Sequence, residues 1–178
     1  MGMNAPVTSL QALALQQTLS KAELLANILP ALQAVLPKHA LLWHDEDTTP
    51  YECDGLTAYR QRPLCVALPE THDQVQAILK ACHLLDVPVV ARGAGTGLSG
   101  GAMPHQNGVT LSLAKFNKIL KVDKFSRTAL VQCGVRNLAI SEAAAPLGLY
   151  YAPDPSSQIA CTIGGNVAEN SGGVHCLK

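Results

Sequence analysis

Val87-Pro88-Val89-Val90-Ala91-Arg92-Gly93-Ala94-Gly95-Thr96-Gly97-Leu98-Ser99-Gly100-Gly101 decides how this chain is read. A short apolar run suited to a strand opens into a loop with five glycines and no acid. Glycine lets the backbone approach a ligand closely, and successive main-chain N–H groups then form a concavity that attracts anions. A strand that opens into such a loop predicts a cradle for a phosphate or diphosphate. Gly95-x-Gly97-x-x-Gly100 matches the dinucleotide fingerprint of NAD enzymes, which requires a helix directly after it. The following residues, Gly101-Ala102-Met103-Pro104-His105-Gln106-Asn107-Gly108, make poor helix, and no acid stands about 20 positions on at a strand end. An NAD-binding Rossmann domain is therefore the weaker alternative. The absence of Gly-Lys-Ser/Thr excludes a P-loop.

Outward from the loop, Leu64–Leu68 reads as a strand ended by Pro69. Thr71-x-x-Gln74 is a capping box, and Val75, Ile78, Leu79, Cys82 and Leu85 follow helical spacing. Val87–Ala91 is the next strand and Val109–Leu113 a third. Strand, helix, strand in this order is a βαβ unit with its first two strands parallel. His72 and His83 read as structural surface or half-buried residues of that helix. Upstream, residues 8–36 favour helix, with a capping box at Ser20-x-x-Glu23 opening a second helical segment that Pro30 and Pro37 interrupt or end. His44–Pro50 reads as a solvated polar loop rather than a metal site. Downstream, residues 119–123 and 128–133 predict two strands joined by a Lys124–Arg127 turn. Asn137–Ala145 predicts a helix ended by Pro146 and Gly148, and Leu149–Ala152 a short strand. Residues 153–178 are rich in Gly, Pro, Ser and Asn and predict little helix.

Composition narrows the function classes. The 178 residues carry 13 acids and 13 bases, so no basic surface argues for nucleic acid. No apolar run reaches the length of a membrane span, and the N-terminus lacks the pattern of a signal peptide. The six cysteines lack metal-ligand spacing and read as reduced thiols of a cytoplasmic protein, mostly buried, with no metal site.

A second glycine-rich segment, Ile163-Gly164-Gly165-Asn166-Val167-Ala168-Glu169-Asn170-Ser171-Gly172-Gly173, follows Pro153-Asp154-Pro155-Ser156-Ser157. Alone it reads equally well as a flexible loop. Two such segments in one small domain suit an extended ligand running between them, and a dinucleotide has that shape.

The chain resembles the FAD-linked oxidases of the vanillyl-alcohol oxidase type, in their glycolate-oxidase-like D-2-hydroxyacid dehydrogenase branch. The residues that carry the resemblance are Pro50–Gly55, Val87–Gly101, Val135–Ile140 and Tyr151–Gln158, continuing through Gly173 to Lys178. The resemblance implies an α+β fold with a PCMH-type FAD-binding domain. Residues 1–44 would be an N-terminal helical segment and 45–178 the FAD-binding domain. Within that domain a βαβ subdomain (about 60–115) would lead into an incomplete mixed or antiparallel subdomain (about 116–178). The two glycine segments should face each other across the cleft between them. The resemblance also implies that Arg92, Gly93, Ala94, Gly95, Thr96, Gly97 and Leu98 wrap the FAD diphosphate. Pro155, Ser156, Thr162, Gly164, Gly165, Glu169, Asn170, Ser171 and Gly172 would line the ribityl and isoalloxazine side. Some relatives tether FAD through a histidine in the first loop. Thr96 stands at that place, and His105 lies too far along, so FAD is expected to be non-covalent.

The activity implied is oxidation of a 2-hydroxy acid, glycolate or D-lactate, by hydride transfer to flavin. Implied partners are that small-molecule substrate and other subunits of a glycolate oxidase, with a homo-oligomer as a further expectation. The relatives run to several hundred residues, so the chain reads as an N-terminal part that stops inside the family pattern. No catalytic residue is assigned, because the implied base lies beyond Lys178. His175 reads as a loop residue. The non-enzymatic alternative is a truncated fragment that binds FAD weakly or not at all, with an open sheet edge that promotes association.

Overall fold

The computed structural model describes residues 19–175. Helix α1 (Lys21–Gln33) starts at the expected capping box, in which the Ser20 hydroxyl accepts from the Glu23 N–H and the Glu23 carboxylate accepts from the Ser20 N–H. The earlier part of the expected helix lies outside the described residues. Pro30 does not interrupt α1 but sits inside it. A proline there costs about 3 kcal/mol. Ile28 and Leu32 on either side are fully buried, at about 2 kcal/mol each, so packing outweighs the lost bond.

The expected polar loop over His44–Pro50 is also corrected. It forms helix α2 (Asp45–Thr48) and a 3-10 turn (Thr49–Tyr51). The Thr48 hydroxyl donates to the His44 carbonyl at 3.1 Å and the Thr49 hydroxyl to the Asp45 carbonyl at 2.7 Å. Asp45, Glu46 and Asp47 fill the first turn, where the helix dipole favours negative charge.

The first sheet contains β1 (Leu41–Leu42), β2 (Cys65–Ala67), β3 (Val89–Arg92) and β4 (Val109–Ser112), in the order β1-β2-β4-β3. β1 is antiparallel to β2, while β2 and β3 each run parallel to β4. The βαβ strands are thus parallel as expected, but β4 lies between them. Every residue of β4 is buried, whereas β3 keeps Ala91 exposed. The strand that can be covered on both faces takes the centre. Helix α3 (His72–Leu84) links β2 to β3, and its Thr71/Gln74 capping box forms as expected. Its inner face is Val75, Ile78 and Cys82, packed with Ile28, Leu32, Leu64, Val109 and Leu111. Leu79 and Leu85, expected on the same stripe, are 44% and 42% exposed.

The second sheet is the antiparallel hairpin of β5 (Ile119–Asp123) and β6 (Thr128–Val131). Asp123 closes its turn by accepting from the N–H groups of Phe125 and Ser126. Helix α4 (Asn137–Ala144) follows, and a 3-10 turn ends at Gly148 with φ +72°.

Two further expectations are corrected here. Leu149–Ala152 is not a strand, because the Ser141 hydroxyl bonds both the N–H and the carbonyl of Tyr151 in place of a ladder. The tail does contain a helix, α5 (Ile163–Ala168). Glycine weakens a helix by about 1 kcal/mol per residue. This first turn is tied to the preceding chain through Ile163 N–H to Val135 O at 2.9 Å and Gly164 N–H to Cys133 O at 2.8 Å.

Candidate cofactor site

The first glycine loop leaves the end of β3, and turns carry the chain through Asn107 to β4. No helix follows Gly101, so the Rossmann alternative lacks the element it requires. The main-chain N–H groups of Gly93, Ala94, Gly95, Thr96, Gly97 and Leu98 donate to no acceptor among the described residues. Six consecutive donors left open on one glycine-rich loop are chemically suited to an anion.

The loop is braced from beneath by residues 51–55. Arg92 is buried, and its guanidinium turns under the loop to donate to Cys53 O at 2.8 Å and Ala102 O at 3.2 Å. It also lies 5.6 Å from the centre of the Tyr51 ring. Those partners are uncharged, so the guanidinium sets a fixed positive charge below the donors. The buried Asp54 carboxylate accepts from Gly100 N–H at 2.8 Å and from Leu56 N–H at 3.0 Å. Gly55 N–H donates to Gly97 O at 2.9 Å, and a Cβ at Gly55 would come within 2.7 Å of Thr96 O. Tyr51, Cys53, Asp54 and Gly55 thus shape the loop, yet sequence reasoning did not select them individually. Their signal was membership of the matching run Pro50–Gly55.

The second segment reaches the first at two points. Thr162 lies against Gly93, where any Cβ would overlap its hydroxyl. The Glu169 carboxylate lies against Gly97 and would stand 3.1 Å from a Cβ at Gly101. The two glycine segments therefore touch as well as face each other. The hydroxyl of Thr162, the amide oxygen of Asn137 and the amide nitrogen of Asn166 are buried without a partner among the described residues. Such groups are costly unless something satisfies them.

Pro155 and Ser156 sit on a turn held by α4, through Leu138 N–H to Gln158 O and Asn137 N–H to Cys161 O. Gly164 and Gly165 lie in α5, and Asn170, with φ +53°, turns the chain into Ser171 and Gly172. His72 and His83 are exposed on α3, and His105 Nδ1 accepts from Asn107 N–H in a local turn. Burial pushes the Cys65 thiol up to about 12, with a lesser effect of Cys82, and pushes Cys82 up to about 11. Both are inert core residues, and Cys176 lies outside the described residues.

Residues 63–178 match the family model of the FAD binding domain. Glycolate oxidase subunit GlcD of Escherichia coli (strain K12) is 64% identical over 152 residues, covering 85% of this chain and 30% of that protein. D-lactate dehydrogenase of Anaerostipes hadrus is 36% identical over 153 residues, covering 85% of this chain and 32% of that protein. The chain thus spans about a third of the length of these relatives. Among solved structures, p-cresol methylhydroxylase with substrate bound superposes with a TM-score of 0.76 at 22% identity, over 87% of this chain and 31% of that one. That likeness shows the fold: one mixed and one antiparallel sheet, as in PCMH-type FAD-binding domains. With its free loop donors, its buried guanidinium and its match over residues 63–178, the chain belongs to the FAD binding domain family, with FAD as its cofactor.

Proposed function

We propose that this chain holds FAD non-covalently, in a protein that oxidises a small 2-hydroxy acid, glycolate or D-lactate. The observation that carries the reading is the run of six N–H groups from Gly93 to Leu98 that find no acceptor among the described residues. These donors would take the diphosphate, and the Arg92 charge beneath them favours two negative groups. The buried Thr162 hydroxyl, without a partner among the described residues, supplies a polar contact beside the same loop. Glu169, an acceptor against Gly97, suits the hydroxyls of the ribityl chain. Pro155, Ser156, Gly164, Gly165, Asn170, Ser171 and Gly172 would line the remaining side. Thr96 offers no nucleophile of the kind that tethers flavin.

When bound, the flavin supplies the redox chemistry by accepting hydride from the substrate α-carbon. The residues of this chain bind and orient it. The names of the two relatives support a 2-hydroxy acid substrate, and the name of GlcD as a subunit supports work beside other subunits.

The test is retention of flavin. Protein purified under FAD-replete conditions should carry flavin absorbance. Denaturation in acid should release all of it as free FAD, and added pyrophosphate should compete for reloading. Protein that takes up no FAD would refute the reading and favour the non-binding alternative. Flavin that stays with the precipitated chain would refute the non-covalent part alone.

A further inference from the structure

The first glycine loop meets opposite charges along its length. At Gly95 an added Cβ would overlap the buried Arg92 guanidinium. At Gly97, two residues on, it would overlap Oε1 of Glu169 and lie 2.7 Å from Oε2. At Gly101 it would stand 3.1 Å from the same Oε1. The carboxylate thus lies on the side-chain face of Gly97 and leaves the Gly97 N–H open. Glu169 is exposed, and its carboxylate has no hydrogen-bond or ion-pair partner among the described residues. A carboxylate in this position repels the anion that the neighbouring donors attract, so it lowers affinity. Repulsion of this kind serves selectivity, which is built from clashes and like charges as well as from contacts.

We propose, resting on the FAD reading above, that Glu169 determines which phosphate ligand the loop accepts. The Arg92 end takes the anion. The Glu169 end takes an uncharged sugar chain, whose hydroxyls donate to the carboxylate. Each phosphorus of a diphosphate esterified at both ends carries one negative charge. A terminal phosphate carries about 1.5–2 at neutral pH, because its second proton leaves near pH 6. FMN and ADP both end in such a phosphate, at the phosphorus that bears the ribityl chain in FAD. In these two ligands the extra charge faces Glu169 where FAD presents hydroxyls. The loop therefore favours the doubly esterified ligand over either of its halves, beyond the contacts each half lacks.

The experiment compares dissociation constants of FAD, FMN and ADP for the native protein, Glu169→Gln and Glu169→Asp. Flavin fluorescence reports FAD and FMN, and displacement of FAD reports ADP. Neutral pH and low salt keep the repulsion least screened. Glu169→Gln keeps an acceptor oxygen and removes the charge. It should tighten FMN and ADP about tenfold, equivalent to about 1.4 kcal/mol, and change FAD less than about threefold. Glu169→Asp keeps the charge and should discriminate as the native protein does. High salt should narrow the difference between the native protein and Glu169→Gln. Equal changes for all three ligands in Glu169→Gln, with FAD still bound, would overturn the selective role and leave the FAD reading intact. Glu169→Asp behaving as Glu169→Gln would also overturn it, because charge would then not decide. A native protein that binds none of the three ligands would overturn both readings. Circular dichroism checks that each variant is folded, as expected for an exposed side chain without partners among the described residues.

Discussion

Asp54→Asn tests how the first loop is held. The carboxylate is 4% exposed and accepts two main-chain bonds, from Gly100 N–H and Leu56 N–H. Asparagine keeps one acceptor oxygen and turns an NH2 group toward the other donor. A hydrogen bond to a charged acceptor contributes about 1.5–3 kcal/mol, and a buried donor left unsatisfied costs about 1–3 kcal/mol. The expected loss is therefore about 3 kcal/mol of stability. At about 2–4 °C per kcal/mol for a chain of this size, the Tm should fall by about 6–12 °C. Gly100 lies at the far end of the cradle with φ +82°. Freeing it should also weaken FAD about tenfold, equivalent to about 1.4 kcal/mol of loop ordering. Urea unfolding followed by circular dichroism gives the first quantity, and a fluorescence titration with FAD the second. A stability change below about 0.5 kcal/mol, the range of an ordinary surface substitution, together with unchanged FAD affinity, would refute the bracing role.

Other outcomes follow from single residues. Gly134→Ala should cost about 1–3 kcal/mol in urea unfolding, because its Cβ would overlap the Leu113 carbonyl and lie 2.8 Å from Phe116 O, both backbone atoms that cannot yield. Gly148→Ala should cost only about 1 kcal/mol, for φ +72° alone, since nothing lies within 4 Å of the added carbon. At pH 8 the native protein should resist thiol-exchange labelling at Cys65 and Cys82, because burial raises both thiols well above that pH and leaves little thiolate; peptide mapping locates the modified sites. The backbone N–H of His175, and then its ring, hold the Asp154 carboxyl below its ordinary value of 3.8. Its stabilisation is present above about pH 4 and is lost as pH falls through the lowered value. Urea midpoints of Asp154→Asn should therefore decline less steeply than native ones below pH 4.

Features written in a few adjacent residues were legible before the structure. Both capping boxes formed, since Ser20/Glu23 and Thr71/Gln74 need only their own turn. The Gly93–Leu98 donors followed from glycine content after an apolar run. What escaped the sequence depended on partners far along the chain. Nothing local says that β4 enters between β2 and β3, because that choice rests on which strand can be buried on both faces. Asp54 reads as an ordinary loop acid until Gly100, 46 positions away, is brought to it. Helix α5 was hidden by its glycines, whose low propensity is overridden by bonds to Cys133 and Val135. The same holds for Asp154 and His175, which become a pair only when the second segment folds back on itself.

The contact of Gly93 with Thr162 gives the cradle one wall from the end of the first sheet and one from the segment bridged to Arg136 beyond the hairpin. A ligand seated at such a seam binds only when both walls are assembled, so its binding free energy adds to the cohesion of the domain. Free FAD at 100 times its dissociation constant would raise the unfolding free energy by about 2.7 kcal/mol. Flavin supply would then bear on the lifetime of this protein: with less FAD bound, a larger fraction of the chain would be unfolded and open to proteolysis.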